Sequence, residues 1–198
     1  MRISLLGLLL SLFTTSAAFA APEDQPLELA LEGHVFSVLF APGDSDSEGE
    51  FDAVGFGGGL SLRYFGTRGH GLTASVRARA FEEFCIIFCN DTESGVLTSA
   101  TFGYAYRADF GVRPHRELWF DFTPRAALEV GYISGDYGDV AFGGEVGGDF
   151  NIHFRSGVLL GVGGFYEIIR VTGGASHGGG AMLRIGGAFG RSQSRSER

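Results

Sequence analysis

Between Val140 and Phe154 apolar and small or polar residues alternate without a break. Val140, Phe142, Gly144, Val146, Gly148, Phe150, Ile152 and Phe154 fall on one parity, and Ala141, Gly143, Glu145, Gly147, Asp149, Asn151 and His153 on the other. A strand sends successive side chains to opposite faces. This segment therefore reads as a strand with one greasy, aromatic face and one small, charged face. It is longer than a typical strand of about five or six residues, and long enough to cross a bilayer, which takes about 9–11 tilted residues.

The same alternation recurs at about 27–40, 53–65, 72–81, 96–111, 118–133, 158–171 and 179–190, and no helical period competes with it. Eight such strands predict an all-β fold, an eight-stranded antiparallel up-and-down transmembrane β-barrel with a polar interior. Pro124 lies on the greasy parity of the fifth strand. Without an N–H it removes a ladder hydrogen bond, and a bulge is expected there. The connections alternate in character. Residues 42–52 and 82–95 are long and acidic, whereas 66–71, 112–117 and 155–157 are short and carry Arg68, Arg113, Arg116 and Arg155. Outer-membrane barrels pair short periplasmic turns with longer outer loops, which puts the N-terminus in the periplasm. Tyr64, Phe110, Phe120, Phe154 and Phe189 then fall at periplasmic strand ends, as an interfacial girdle requires.

The first residues fit that export. Met1-Arg2 is a short positive start, 3–13 an apolar run too short to span as a helix, and Ala18-Phe19-Ala20 a small-x-small cleavage site. The expected organisation is a signal peptide over 1–20, a short N-terminal segment over 21–26, the barrel over 27–190 and a polar periplasmic tail over 191–198. Glycine at 33 residues and Phe at 19, with only 5 Pro, suit strands rather than a disordered chain. The net charge of −8 speaks against nucleic acid as a partner. Cys85 and Cys89 are the two cysteines. In an oxidising compartment they read as a disulfide closing a small loop, with a pair of free thiols as the alternative.

Charge gathers on the inward parity. Arg63, Arg77, Arg79, Arg107, Arg125 and Arg184 share it with Glu28, Glu32, Asp109, Asp121, Glu129, Glu145, Asp149 and Glu167. The lumen of an eight-stranded barrel is just wide enough for its own side chains, so these groups are expected to pair into a plugging network, because unpaired buried charge is strongly unfavourable. Inward glycines at 57, 59, 143, 147, 161 and 163 leave a narrow pore as a second reading.

Little points to catalysis. His34 and His153 face inward, and His153 and Ser156 sit near a turn. A lipid-deacylating His-Ser pair would have to lie on the lipid face near the outer leaflet. No Gly-x-Ser-x-Gly elbow occurs. No catalytic, cofactor or metal residue is assigned. The acidic outer loop with Asp44, Asp46, Glu48 and Glu50 reads as a solvated rim, with cation bridging to lipopolysaccharide as the sharper alternative, although the twelve-residue calcium-loop pattern is missing.

In signal peptide, strand count, turn rhythm and a last strand ending in Phe189, the chain resembles the small eight-stranded outer-membrane barrels of the outer-membrane protein A and X type. The resemblance covers about 27–189, and Gly190 to Arg198 follow the final aromatic. It implies a Gram-negative outer-membrane location and a structural or cell-surface interaction role without enzymatic activity. It also implies a monomer among outer-membrane lipid and lipopolysaccharide, assembled by the barrel-assembly machinery. The alternatives are a soluble secreted or periplasmic barrel carrying an apolar ligand, and a lipid-modifying enzyme or narrow pore.

Overall fold

The computed structural model describes residues 26–42, 51–83, 94–110, 118–135, 138–154, 156–171 and 174–189. Among them the alternating segments form nine strands: β1 (Leu27–Pro42), β2 (Phe51–Phe65), β3 (His70–Glu83), β4 (Ser94–Tyr106), β5 (Ala108–Phe110), β6 (Leu118–Gly135), β7 (Asp139–Phe154), β8 (Val158–Val171) and β9 (Gly174–Phe189). β4 and β5 are two parts of one stave, interrupted at Arg107, so the architecture is a closed eight-stranded, all-antiparallel barrel. Each stave pairs with its sequence neighbours, and β1 closes the ring against β9 from Leu27 opposite Phe189 to Pro42 opposite Gly174. Closure leaves no sheet edge, so the ladders satisfy the backbone donors and acceptors of the wall internally.

Polarity is inverted relative to a water-soluble protein. The outward parity carries Leu31, Phe56, Phe102, Leu128, Phe142 and Phe150, with Leu128 76% and Phe56 72% exposed. The inward parity buries the arginines and carboxylates. Tyr64, Phe110, Phe120 and Phe189 project outward at the end of the barrel where residues 66–69 and 156–157 turn, and Phe154, half-buried, sits at the same end.

Three expectations need correction. Pro124 does not create a bulge. Ala105 lies opposite Arg125 and Ala108 opposite Phe122, so the two sides advance by the same number of residues. Instead the ladder lapses in register beside Pro124, which has no N–H to offer, and the Arg107 N–H donates to the Gly69 carbonyl at 2.8 Å. The last strand begins at Gly174 rather than near 179, because its glycine-rich start pairs with β1 and β8 despite a weak alternation. The inward glycines do not mark empty space. A Cβ on Gly57 would stand 2.7 Å from Arg79 Cγ and 2.4 Å from the Ala78 carbonyl oxygen, and one on Gly163 would stand 2.7 Å from Asp149 Cβ. Long charged side chains from neighbouring strands already fill those positions.

Replacing Gly57 by Val should therefore overpack the lumen beside Arg79. The expected loss is about 1–3 kcal/mol, read as a lower urea midpoint for the refolded barrel in detergent. An unchanged midpoint would mean that the Arg79 stem has room to retreat.

Candidate functional site

Along the inward parity the residues sort into levels. At the end reached by the 43–50 and 84–93 connections, Leu97, Ile133, Ala141 and Ile169 form an apolar cluster with Phe81 and Val171. Phe36, Phe165 and Met182 form a second, slightly deeper. Sequence reasoning missed this apolar cap. The residues obey the inward parity, but attention to charge passed over them, and the signal available was their shared position at one end of each strand.

Below the cap lies the first ionic level. Arg79 donates to Glu129 at 2.6 Å and to Glu167 at 2.5 Å, and its guanidinium lies 5.4 Å from the Phe36 ring centroid. Arg77 bonds Glu145 and reaches Glu32 at 3.6 Å. Arg125 donates through Nε to Glu145 and through Nη1 to Asp149, both at 2.8 Å. Glu129, Glu145 and Glu167 thus converge, with carboxylate oxygens within 4.8 Å of one another, and Arg77, Arg79 and Arg125 neutralise them.

Asp149 is the centre of the next level. It is fully buried. Arg63 grips it with both guanidinium nitrogens at 2.7 and 2.9 Å, Arg184 donates at 3.0 Å, and the Asn151 amide donates at 2.9 Å. Paired two-point contacts of this kind are the strongest geometry a guanidinium and a carboxylate achieve. Arg184 Nε also lies 3.3 Å from Glu32, whose other oxygen faces His34 at 3.3 Å.

The level nearest the short turns is different. Asp121 accepts from Thr123 and Asn151, each at 2.8 Å, and contacts His153 Nε2. The Trp119 ring stacks on His153 at 4.9 Å and 5°. Arg107 reaches Glu28 at 3.3 Å and lies 4.6 Å from the Phe65 ring centroid. Asp109, opposite Asp121 in the β5–β6 ladder, is 3% exposed, and neither of its carboxylate oxygens has a hydrogen-bond partner. Its ion pair with Arg107 Nε is 3.8 Å long.

Every inward charge named from the sequence therefore sits inside the barrel, and Thr123, Asn151, His34 and His153 join the same network. His153 points into the lumen away from Ser156, which is exposed on the turn, so these two form no hydrolytic pair. Cys85 and Cys89, the acidic positions 44–50, the segment 1–20 and the tail 191–198 lie outside the described residues.

No family model and no curated protein sequence matches the chain. Among solved structures it is similar to Ail, the attachment invasion locus protein of Yersinia pestis, with a TM-score of 0.45 and 11% identity over 84% of this chain and 99% of that one. A second structure of Ail, bound to the heparin analogue sucrose octasulfate, gives 0.43 and 13% over the same shares. Neisserial surface protein A gives 0.43 and 17% over 79% of this chain and 96% of that one. At these identities and scores the likeness is one of overall form, and the closed eight-stranded barrel itself rests on the strand pairing described above.

Replacing Asp149 by Ala should leave Arg63, Arg125 and Arg184 without their shared partner. The expected cost is about 3–5 kcal/mol, measured by chemical denaturation of the refolded barrel. Asp109→Asn removes a carboxylate that accepts no hydrogen bond and should leave that stability within about 1 kcal/mol.

Proposed function

We propose that this protein is an integral barrel of a Gram-negative outer membrane, with a structural or cell-surface interaction role rather than an enzymatic one, and that its lumen is closed by the Arg/carboxylate network. One observation carries the reading: the wall is apolar outside and charged inside. In water, a ring of exposed Leu, Val and Phe around the whole barrel would drive aggregation. In hydrocarbon the same ring is the favourable face, and charges survive only on the lumen side. A soluble carrier of an apolar ligand needs the opposite arrangement, with a greasy cavity and a polar wall. Outward rings at the short-turn end suit the membrane interface, and the N-terminal sequence suits export through a cleaved signal peptide.

The closed lumen follows from filling. Guanidinium and carboxylate groups span it from opposite strands, and Phe36, Phe165 and Met182 on one side and Phe65 and Trp119 on the other cover the ionic levels. Side chains packed at this density leave no space for a wide aqueous path. The surface role rests on the long connections at 43–50 and 84–93, since outer-membrane barrels carry their longer loops on the outer side. Their acidic composition would repel a polyanion, so the sulfated ligand of Ail is not the natural model for this chain. Lipopolysaccharide contacts through bridging cations suit it better.

In cell fractionation the mature chain should remain with the outer-membrane pellet after carbonate washing and migrate differently on a gel before and after boiling. Quantitative release without detergent would sink the membrane reading. In planar bilayers the refolded protein should give no large, stable conductance, whereas porin-sized openings would show that the network lines a pore instead of filling it.

A further inference from the structure

The lumen holds two clusters of three metal-competent side chains, and they differ in how their charge is met. Glu129, Glu145 and Glu167 face Arg77, Arg79 and Arg125, a balanced set. Glu32 and Asp149, in the middle, face Arg63 and Arg184. Glu28, Asp121 and His153, at the short-turn end, also bring ligand atoms within 4.8 Å of one another, all buried. There, with Asp109 opposite Asp121, three carboxylates face one guanidinium of their own, that of Arg107, and a 3.6 Å approach by Arg184, which is already engaged with Asp149 and Glu32. Among the described residues, this level therefore holds more carboxylates than guanidinium groups.

We propose that Glu28, Asp109, Asp121 and His153 form a binding site for a divalent transition-metal ion of the zinc class at this end of the lumen.

A second observation, separate from the clustering, points to a ligand. Asp109 is almost wholly buried on the inward parity, yet both of its oxygens lack a hydrogen-bond donor, and Glu28 Oε2, which has only the 3.6 Å ion pair with Arg184, and His153 Nδ1 make no hydrogen bond either. Its charged neighbours are Arg107 first, and then Asp121, His153 and Glu28, the three members of the cluster. Buried carboxylate oxygens without donors are costly, and a cation bound among them removes that cost. The donor set decides the ion. One imidazole nitrogen with carboxylate oxygens suits zinc and its neighbours, whereas calcium and magnesium favour oxygen alone. His153 Nε2 already contacts Asp121 and lies 3.9 Å from Glu28 Oε1. Small side-chain rotations would bring the Glu28, Asp121 and His153 donors to the ~2.0–2.2 Å that zinc takes, with Asp109, opposite Asp121 in the ladder, as the fourth ligand. Ligands bind a metal ion in their deprotonated form, so binding releases any proton held there. Asn151 and Thr123, donating to Asp121, and the Trp119 ring, stacked on His153, hold two of the ligands in place, the supporting role that outer partners play at metal sites. The inference rests on the lumen alone and is independent of the surface role.

The test uses the mature chain refolded in detergent, stripped with a chelator, and confirmed as folded by heat-modifiable migration. Zinc is then titrated against a chromogenic chelator. One zinc per chain is expected. Asp109→Asn and His153→Ala should each weaken it at least tenfold, while Glu167→Gln in the balanced cluster should leave it unchanged. Cobalt in place of zinc should give visible absorption of a four- or five-coordinate ion, lost in His153→Ala. No stoichiometric zinc, equal affinity in Asp109→Asn and His153→Ala, or only the spectrum of hydrated cobalt in the folded wild-type protein would each overturn the proposal. If His153→Ala does not refold, Asp109→Asn and the cobalt spectrum of the wild-type protein decide the matter.

Discussion

A charge shut inside a narrow barrel must find its opposite there, and the structure is organised around that demand. Asp149 on β7 draws Arg63 from β2, Arg125 from β6 and Arg184 from β9, so one carboxylate ties together staves that lie apart in the wall. Arg125 comes from the adjacent strand, but the Arg63 contact reaches across the lumen and forms only when the ring closes. The backbone ladders and the lumen network therefore support each other: closure brings the charges within reach, and their pairing opposes reopening. The apolar groups at both ends strengthen the effect, since ion pairs gain when water is kept away. The same exclusion makes the loss of one partner costly.

The wall's outer face asks less of its residues. Any apolar side chain of moderate size satisfies it, and the sequence uses Leu, Val, Ile and Phe there without a fixed motif. Hydrocarbon on the outside and paired charge on the inside constrain residue class and parity, and identity only where long side chains must fit past one another, as at Gly57 beside Arg79.

That division also sets what was legible in the chain. Alternation is a local property, so the staves, their faces and the inward position of Arg63 or Glu145 could be read directly from spacing. Partner choice is not local. That Arg79 would take both Glu129 and Glu167, and that Asp149 would gather three arginines, depends on the register of every intervening strand and on closure between β1 and β9. The lapse at Arg107 was half visible: Pro124 announced a disturbed ladder, but whether it would insert a residue or skip a bond depended on the Gly69 carbonyl waiting on the neighbouring turn. Inward glycines misled because a missing side chain reads as space in one dimension, while in three dimensions the neighbouring strand fills it. The apolar cap escaped because Phe36, Leu97 and Ile169 look like ordinary strand residues until their common height is known.

Height along the barrel axis is thus the coordinate that the sequence hides and the fold supplies, and it gives the two ends of the ionic column different chemistry. Toward the outer loops, Gly57 and Gly59 on β2 make room for the stems of Arg79 and Arg77, so guanidinium groups reach every glutamate. Toward the short turns the room is taken by Phe65, Trp119 and Leu159. Arg107 alone enters that level from its own strand, where the interrupted β4–β5 stave carries both it and Asp109. Rings at this end occupy the volume in which further arginine stems could neutralise Glu28, Asp109 and Asp121. A small cation needs far less volume than a guanidinium and its stem. Where packing leaves space for charge but not for a side chain to carry it, an ion or a proton is the compensation that fits.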